Sequence, residues 1–113
     1  MAKFTSALCI DGTDLHVTLC FCDAVKSGKF KTSNGRGKGV VIGVEYWERA
    51  DITVALIESD FAHERNEYYK LRGYGYDHDF IPHATLSKGN AVSEYKTMKN
   101  DIVILCDEYA RIY

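Results

Sequence analysis

Apolar residues recur at every second position, or run nearly unbroken, in short stretches separated by turn chemistry, which predicts strands over most of the chain. Residues 4–10 read as a first strand and residues 15–22 as a second. Between them Asp11-Gly12-Thr13-Asp14 supplies the Asp-Gly step that accepts the positive φ of a tight reversal, so the two should form a hairpin. Residues 40–47 and 52–58 read as a further pair, turning through Glu48-Arg49-Ala50-Asp51. In the first of these, Ile42, Val44 and Tyr46 share the face expected inside, and Val41, Gly43, Glu45 and Trp47 share the more polar face. The period then changes. Ser59 or Asp60 can cap a helix running through Arg72, acidic early and basic late, with Gly73 as its stop. His63 should face water on it, and Tyr68 and Tyr69 should pack it onto the sheet. After a loop at residues 74–79, Pro82 restricts Ile81 to an extended entry into the strand that begins at His83. Asn90 can cap a short helix over residues 91–99, β-branched residues make 101–106 a last strand, and 107–113 form an amphipathic tail. The expected class is α+β, dominated by antiparallel strands, in a single domain spanning residues 1–113 around one shared core.

Charge and cysteines narrow the setting. The net charge of −2 does not point to duplex nucleic acid as a partner. Yet Lys26, Lys29, Lys31, Arg36 and Lys38 fall between Ala24 and Val44 with no acidic residue among them. That segment reads either as an edge that draws a small anion or nucleotide, or as a solvated loop. Its glycine density suggests a mobile connection, and Gly35-Arg36-Gly37-Lys38-Gly39 is no phosphate loop, since it lacks the Gly-Lys-Ser/Thr ending and leads into a strand. No stretch is long enough to span a bilayer, and the residues after Lys3 lack the form of an export signal, so a cytoplasmic protein is expected. Cys9, Cys20, Cys22 and Cys106 sit in apolar, strand-like runs without a Cys-x-x-Cys spacing, which favours reduced, buried thiols.

The candidate chemistry lies in two echoing units, His16-Val17-Thr18-Leu19 and His83-Ala84-Thr85-Leu86. Alternation sends each His and its Thr to one face of a strand and the intervening apolar residues to the other. One such unit is explained by a histidine packed at a strand edge and a threonine present for its strand propensity. Two copies offer more: one imidazole as general base, the other as general acid, and two hydroxyls that donate to a phosphoryl oxygen between them. A metal centre could instead be assembled with Asp77, His78 and Asp79, but both units carry Thr where a ligand would be wanted, so no metal or cofactor is expected. A serine or cysteine hydrolase is disfavoured by the lack of a nucleophile elbow and of positive neighbours for the thiols. Trp47 could stack on a base, and Tyr74 and Tyr76, in the loop leading to His83, are candidates for substrate contact.

The paired motifs resemble those of the 2H phosphodiesterase superfamily, in which two His-hydrophobic-Thr/Ser-hydrophobic motifs from two pseudo-symmetric lobes meet in one cleft. The resemblance covers most of the chain and implies a compact, two-lobed 2H (LigT-like) fold. Within the superfamily, the run from Val54 through Asp60 to Glu67, the approach Tyr74-Gly75-Tyr76-Asp77, and Ile81-Pro82-His83-Ala84-Thr85-Leu86-Ser87 resemble the phage anti-CBASS phosphodiesterases. Those enzymes cut the cyclic oligonucleotide signals of bacterial immunity. The resemblance implies metal-independent cleavage of 3′,5′-cyclic oligonucleotides by His16, Thr18, His83 and Thr85, in the cytoplasm of an infected host cell. Glu108 and Tyr109 resemble a Glu-Tyr pair near the carboxyl end of the phage enzymes and are carried as substrate-binding candidates on that ground. The sequence departs from larger 2H enzymes in having no room for a helix before its first motif strand. Two other readings stay open: a phosphodiesterase of RNA ends or small 2′,3′-cyclic phosphates, and a non-catalytic sponge that binds cyclic nucleotides. An oligomer is compatible with all three.

Overall fold

In a computed structural model of the chain, residues 3–23, 29–74 and 80–112 are described, without the side chain of Asp23. The elements are β1 (Lys3–Ile10), β2 (His16–Asp23), β3 (Gly37–Trp47), β4 (Ile52–Glu58), α1 (Asp60–Lys70), β5 (His83–Lys88), the one-turn α2 (Val92–Tyr95) with a 3-10 turn at Lys96–Met98, and β6 (Ile102–Ile112). The class is α+β, mostly antiparallel sheet with two helices. The strands close into a barrel in the order β1-β2-β5-β4-β3-β6, every neighbouring pair antiparallel. Closure removes the free edges that an open sheet would expose.

Local signals act where expected. Gly12 takes φ +78 in the β1–β2 turn, and the two strands pair from Lys3↔Asp23 to Cys9↔His16. Ser59 caps α1, its hydroxyl accepting from the Ala62 amide at 3.2 Å, and Gly73 takes φ +88 beyond the end of the helix. The Asn90 carboxamide oxygen accepts from the Val92 amide at 3.3 Å where α2 begins. α1 packs on β2 and β3 at the barrel end where β4 finishes and β5 starts. There the Ser59 hydroxyl donates to Lys38 O, and the Asn66 amide donates to Leu19 O. Gly37 permits this approach, since a Cβ there would overlap the Phe61 ring. Phe4, Leu8, Val17, Leu19, Val41, Ile57, Tyr69 and Leu105 fill the core.

Two expectations are corrected. Val41 is fully buried while Ile42 is 49% exposed, the reverse of plain alternation, because a bulge separates Val41↔Ile57 from Gly43↔Leu56 and leaves Ile42 without a partner. Beyond the bulge the parity is the expected one, and Gly43, Glu45 and Trp47 share the outer face. The tail after Cys106 is no separate element. β6 continues to Ile112, with an irregularity at Asp107 (φ +50) that shifts its pairing from Cys9↔Cys106 to Ala7↔Tyr109.

Candidate functional site

β2 and β5 are 67 positions apart at the two motifs, yet they lie side by side and pair antiparallel at Val17↔Ala84. Both of these residues are fully buried, so the residues flanking them emerge on the opposite, outer face. Antiparallel geometry then sets His16 across from Thr85 and Thr18 across from His83. His16 and Thr85 are exposed, and Thr18 and His83 are half-buried. Side chains directly opposite are ~5 Å apart at Cβ and diagonal neighbours about 7 to 8 Å apart, so the imidazoles stand on one diagonal with the hydroxyls on the other.

The hydrogen bond of His83 selects its tautomer. Its Nδ1 lies 2.8 Å from Ile81 O, and a carbonyl only accepts, so Nδ1 carries the proton. Whenever the ring is neutral, its lone pair is therefore on Nε2. Trp47 reaches the same imidazole from β3, its ring centroid 4.4 Å from that of His83. The indole is held by its N–H, which donates to Glu45 Oε1 at 3.1 Å. Neither Ile81 nor Glu45 was singled out from the sequence. A carbonyl has no residue-type signature, and Glu45 acts only because it shares the outer face of β3 with Trp47.

A family model for the anti-CBASS protein Acb1 matches residues 2–111. The chain belongs to the anti-CBASS protein Acb1 family. No curated protein matches it.

In this anti-CBASS family member the remaining candidates divide. Tyr109 is 39% exposed and pairs with Ala7, which in turn pairs with Thr18, so it shares the outer face two strands from the tetrad. Tyr74 is not brought to that face. It is 5% exposed and stacks on Phe4 at 4.1 Å between centroids, within the core. Glu108 also turns inward. Its carboxylate accepts from Arg65 Nε at 2.6 Å, Arg65 Nη2 at 2.8 Å, the Tyr69 hydroxyl at 2.7 Å and the Ser33 amide at 2.9 Å. Those bonds, with Arg65 donating to Lys31 O and the Lys31 amide donating to the Tyr68 hydroxyl, tie the segment before β3 onto α1. Burial and the neighbouring carboxylate raise the Tyr69 phenol, and the hydrogen bond that Arg65 donates to Glu108 raises its guanidinium. Tyr76 and the alternative ligands Asp77, His78 and Asp79 lie outside the described residues. Among those described, no group of three His, Cys, Asp or Glu side chains could hold a metal.

All four cysteines are free thiols. Burial pushes Cys20 up to about 12, helped by Cys22, whose sulfur lies 4.0 Å away. Burial likewise raises Cys9 and Cys106. Thiols held protonated in this way are poor nucleophiles. No helix among the described residues is long and apolar enough to cross a membrane.

Proposed function

We propose that the chain is a metal-independent phosphodiesterase that cuts 3′,5′-cyclic oligonucleotide immune signals, giving a phage its evasion of CBASS in the host cytoplasm. The observation that carries this reading is the Val17↔Ala84 pairing, which sets both His-x-Thr motifs opposite one another on one open face. The family match over residues 2–111 supplies the biological direction. The strand order divides into β6-β1-β2 and β5-β4-β3, meeting at the motif seam, which supports the two-lobed 2H architecture.

In the proposed reaction the Nε2 lone pair of His83 takes the proton of the ribose 2′-hydroxyl, or of a water, as the new O–P bond forms. The bond from phosphorus to the 5′-oxygen breaks, and protonated His16 delivers its proton to that oxygen. The Thr18 and Thr85 hydroxyls donate to the non-bridging oxygens as charge builds there. The Nδ1–H bond to Ile81 O holds the His83 ring in the tautomer this role requires.

The test is incubation with cyclic dinucleotides, cyclic trinucleotides, RNA with a 2′,3′-cyclic end and 2′,3′-cyclic mononucleotides, with and without EDTA, read by mass spectrometry. Cleavage of the cyclic oligonucleotides, undiminished by EDTA, is expected. Faster cleavage of RNA ends or 2′,3′-cyclic mononucleotides would transfer the activity to that class. Binding without cleavage by the wild-type protein would make it a sponge. Loss of turnover on chelation, restored by one divalent ion, would implicate Asp77, His78 and Asp79.

A further inference from the structure

The outer face of β2 carries one large side chain beyond the motif. The pairing of β2 with β1 steps from Ala7↔Thr18 to Ser6↔Cys20, which leaves Leu19 as the extra residue of a bulge. Unbroken alternation from Val17 would turn residue 21 inward and residue 20 outward. The bulge inverts this: Leu19 and Cys20 are both fully buried, and Phe21 emerges on the side of Thr18, 50% exposed. An isolated exposed phenylalanine needs no explanation. This one has company on the same face. Ile81, two positions before His83, is 54% exposed, and Tyr109, whose partner Ala7 pairs with Thr18, is 39% exposed, while the cross-strand partner of Phe21, Thr5, is too small to cover its ring.

The position is as informative as the exposure. Phe21 lies three residues beyond Thr18, about 10 Å along an extended strand. Trp47 approaches His83 from β3 across β4, whereas Phe21 stands on β2, on the other side of β5. The tetrad thus lies between two aromatic surfaces, and a free phosphate or a terminal cyclic phosphate with a single base would occupy only one of them.

We propose that Phe21 is a nucleobase-stacking platform which, with Trp47, brackets the scissile phosphate, so that the preferred ligand carries a nucleoside on each side of the bond. The proposal rests on the phosphodiesterase reading for the position of the phosphate, but the binding of a two-base ligand can be measured without cleavage. Stacking is sequence-tolerant because every base has a π-face, and loss of one platform costs roughly 5- to 150-fold in affinity.

The experiment uses the full chain carrying His16→Ala, so that ligands persist, and compares Phe21→Ala and Phe21→Tyr in that background. Titration with a cyclic dinucleotide and with a 2′,3′-cyclic mononucleotide can be followed by calorimetry and by the fluorescence of Trp47, the chain's single tryptophan. Phe21→Ala should raise Kd for the cyclic dinucleotide by roughly 5- to 150-fold, and Phe21→Tyr should restore it. The urea midpoint should stay put, because the side chain is half in water. With the cleaving protein, the same variant should raise KM more than it lowers kcat. The mononucleotide should respond to only one of Phe21→Ala and Trp47→Ala, and the dinucleotide to both. If wild type cleaves the dinucleotide and Phe21→Ala leaves Kd and KM unchanged, the platform is wrong and the phosphodiesterase reading stands. If nothing is cleaved but Phe21-dependent binding remains, the platform stands and the cleavage reading falls. Absence of all cyclic dinucleotide binding overturns both.

Discussion

Replacing Glu108 by alanine removes the acceptor of four hydrogen bonds at once, those from Arg65 Nε, Arg65 Nη2, the Tyr69 hydroxyl and the Ser33 amide. The Glu108 side chain is 0% exposed and that of Arg65 12%, so the guanidinium would lose its counterion where little water can replace it. Truncating one partner of a buried ion pair costs about 3 to 5 kcal/mol. The Tyr69 hydroxyl is buried as well, and leaving such a donor unsatisfied adds about 1 to 3 kcal/mol. Ser33 is only half-buried, so its amide can find water and adds little. Against a total stability of about 5 to 15 kcal/mol, Glu108→Ala should leave a substantially unfolded or barely stable protein. Glu108→Gln keeps the volume and one carbonyl acceptor and should cost less. A double replacement of Arg65 by Met and Glu108 by Leu should be more stable than Glu108→Leu alone, because neither charge is then stranded. Urea unfolding at constant m gives the free energies. Limited proteolysis at Lys29 and Lys31 reports on the tied segment, which should be cut faster in the single variants. A Glu108→Ala midpoint close to wild type would refute the structural role. Full stability in Glu108→Gln with lost nucleotide binding would return Glu108 to the substrate, as the resemblance of its Glu-Tyr pair implies.

Three further outcomes are expected. His16→Ala and His83→Ala should each lower kcat by about 10²- to 10⁴-fold, with a double variant losing far less than the product and each single variant losing one limb of a bell-shaped pH profile; near-normal turnover in a folded His16→Ala protein would end the two-histidine account. Gly37→Ala should cost about 1 to 3 kcal/mol in urea unfolding, since its Cβ would displace the Phe61 ring; an unchanged midpoint would show that α1 can shift freely there. Stability should fall in alkali: the Cys20 thiol is held up to about 12 in the folded chain, while the unfolded thiol ionises near about 8.5. Its contribution is therefore intact below the lower value and lost as pH climbs toward the upper one. The raised Cys9, Cys106 and Tyr69 act in the same direction, so a urea midpoint that held through this range would contradict their burial.

Local chemistry was legible in the chain because its causes are local. Asp11-Gly12 turns β1 into β2, Ser59 starts α1, and Pro82 leads into β5. The period of two placed each His with its Thr on one face of its own strand. That alternation also put Trp47 and Glu45 on a common face, where the indole N–H meets the carboxylate. What failed was alternation across the bulge in β3, which buried Val41 and exposed Ile42. A bulge depends on how two strands register against each other, and one strand's pattern does not contain that information.

The sequence by itself determined the two His-x-Thr units, the antiparallel α+β character and the main turns and caps, since these depend on side-chain type and on neighbours a few residues away. Only the tertiary structure decided that β2 and β5 pair at Val17↔Ala84, which turns two half-sites into one face. It also decided that Tyr74 packs on Phe4, that Glu108 accepts from Arg65, and that Phe21 emerges on the same face as Thr18. Each of these is settled by a partner distant in the chain, Arg65 standing 43 positions from Glu108 and Ala84 67 from Val17. Such pairings follow from closing six strands around a single core, where the burial of every apolar face must be satisfied together.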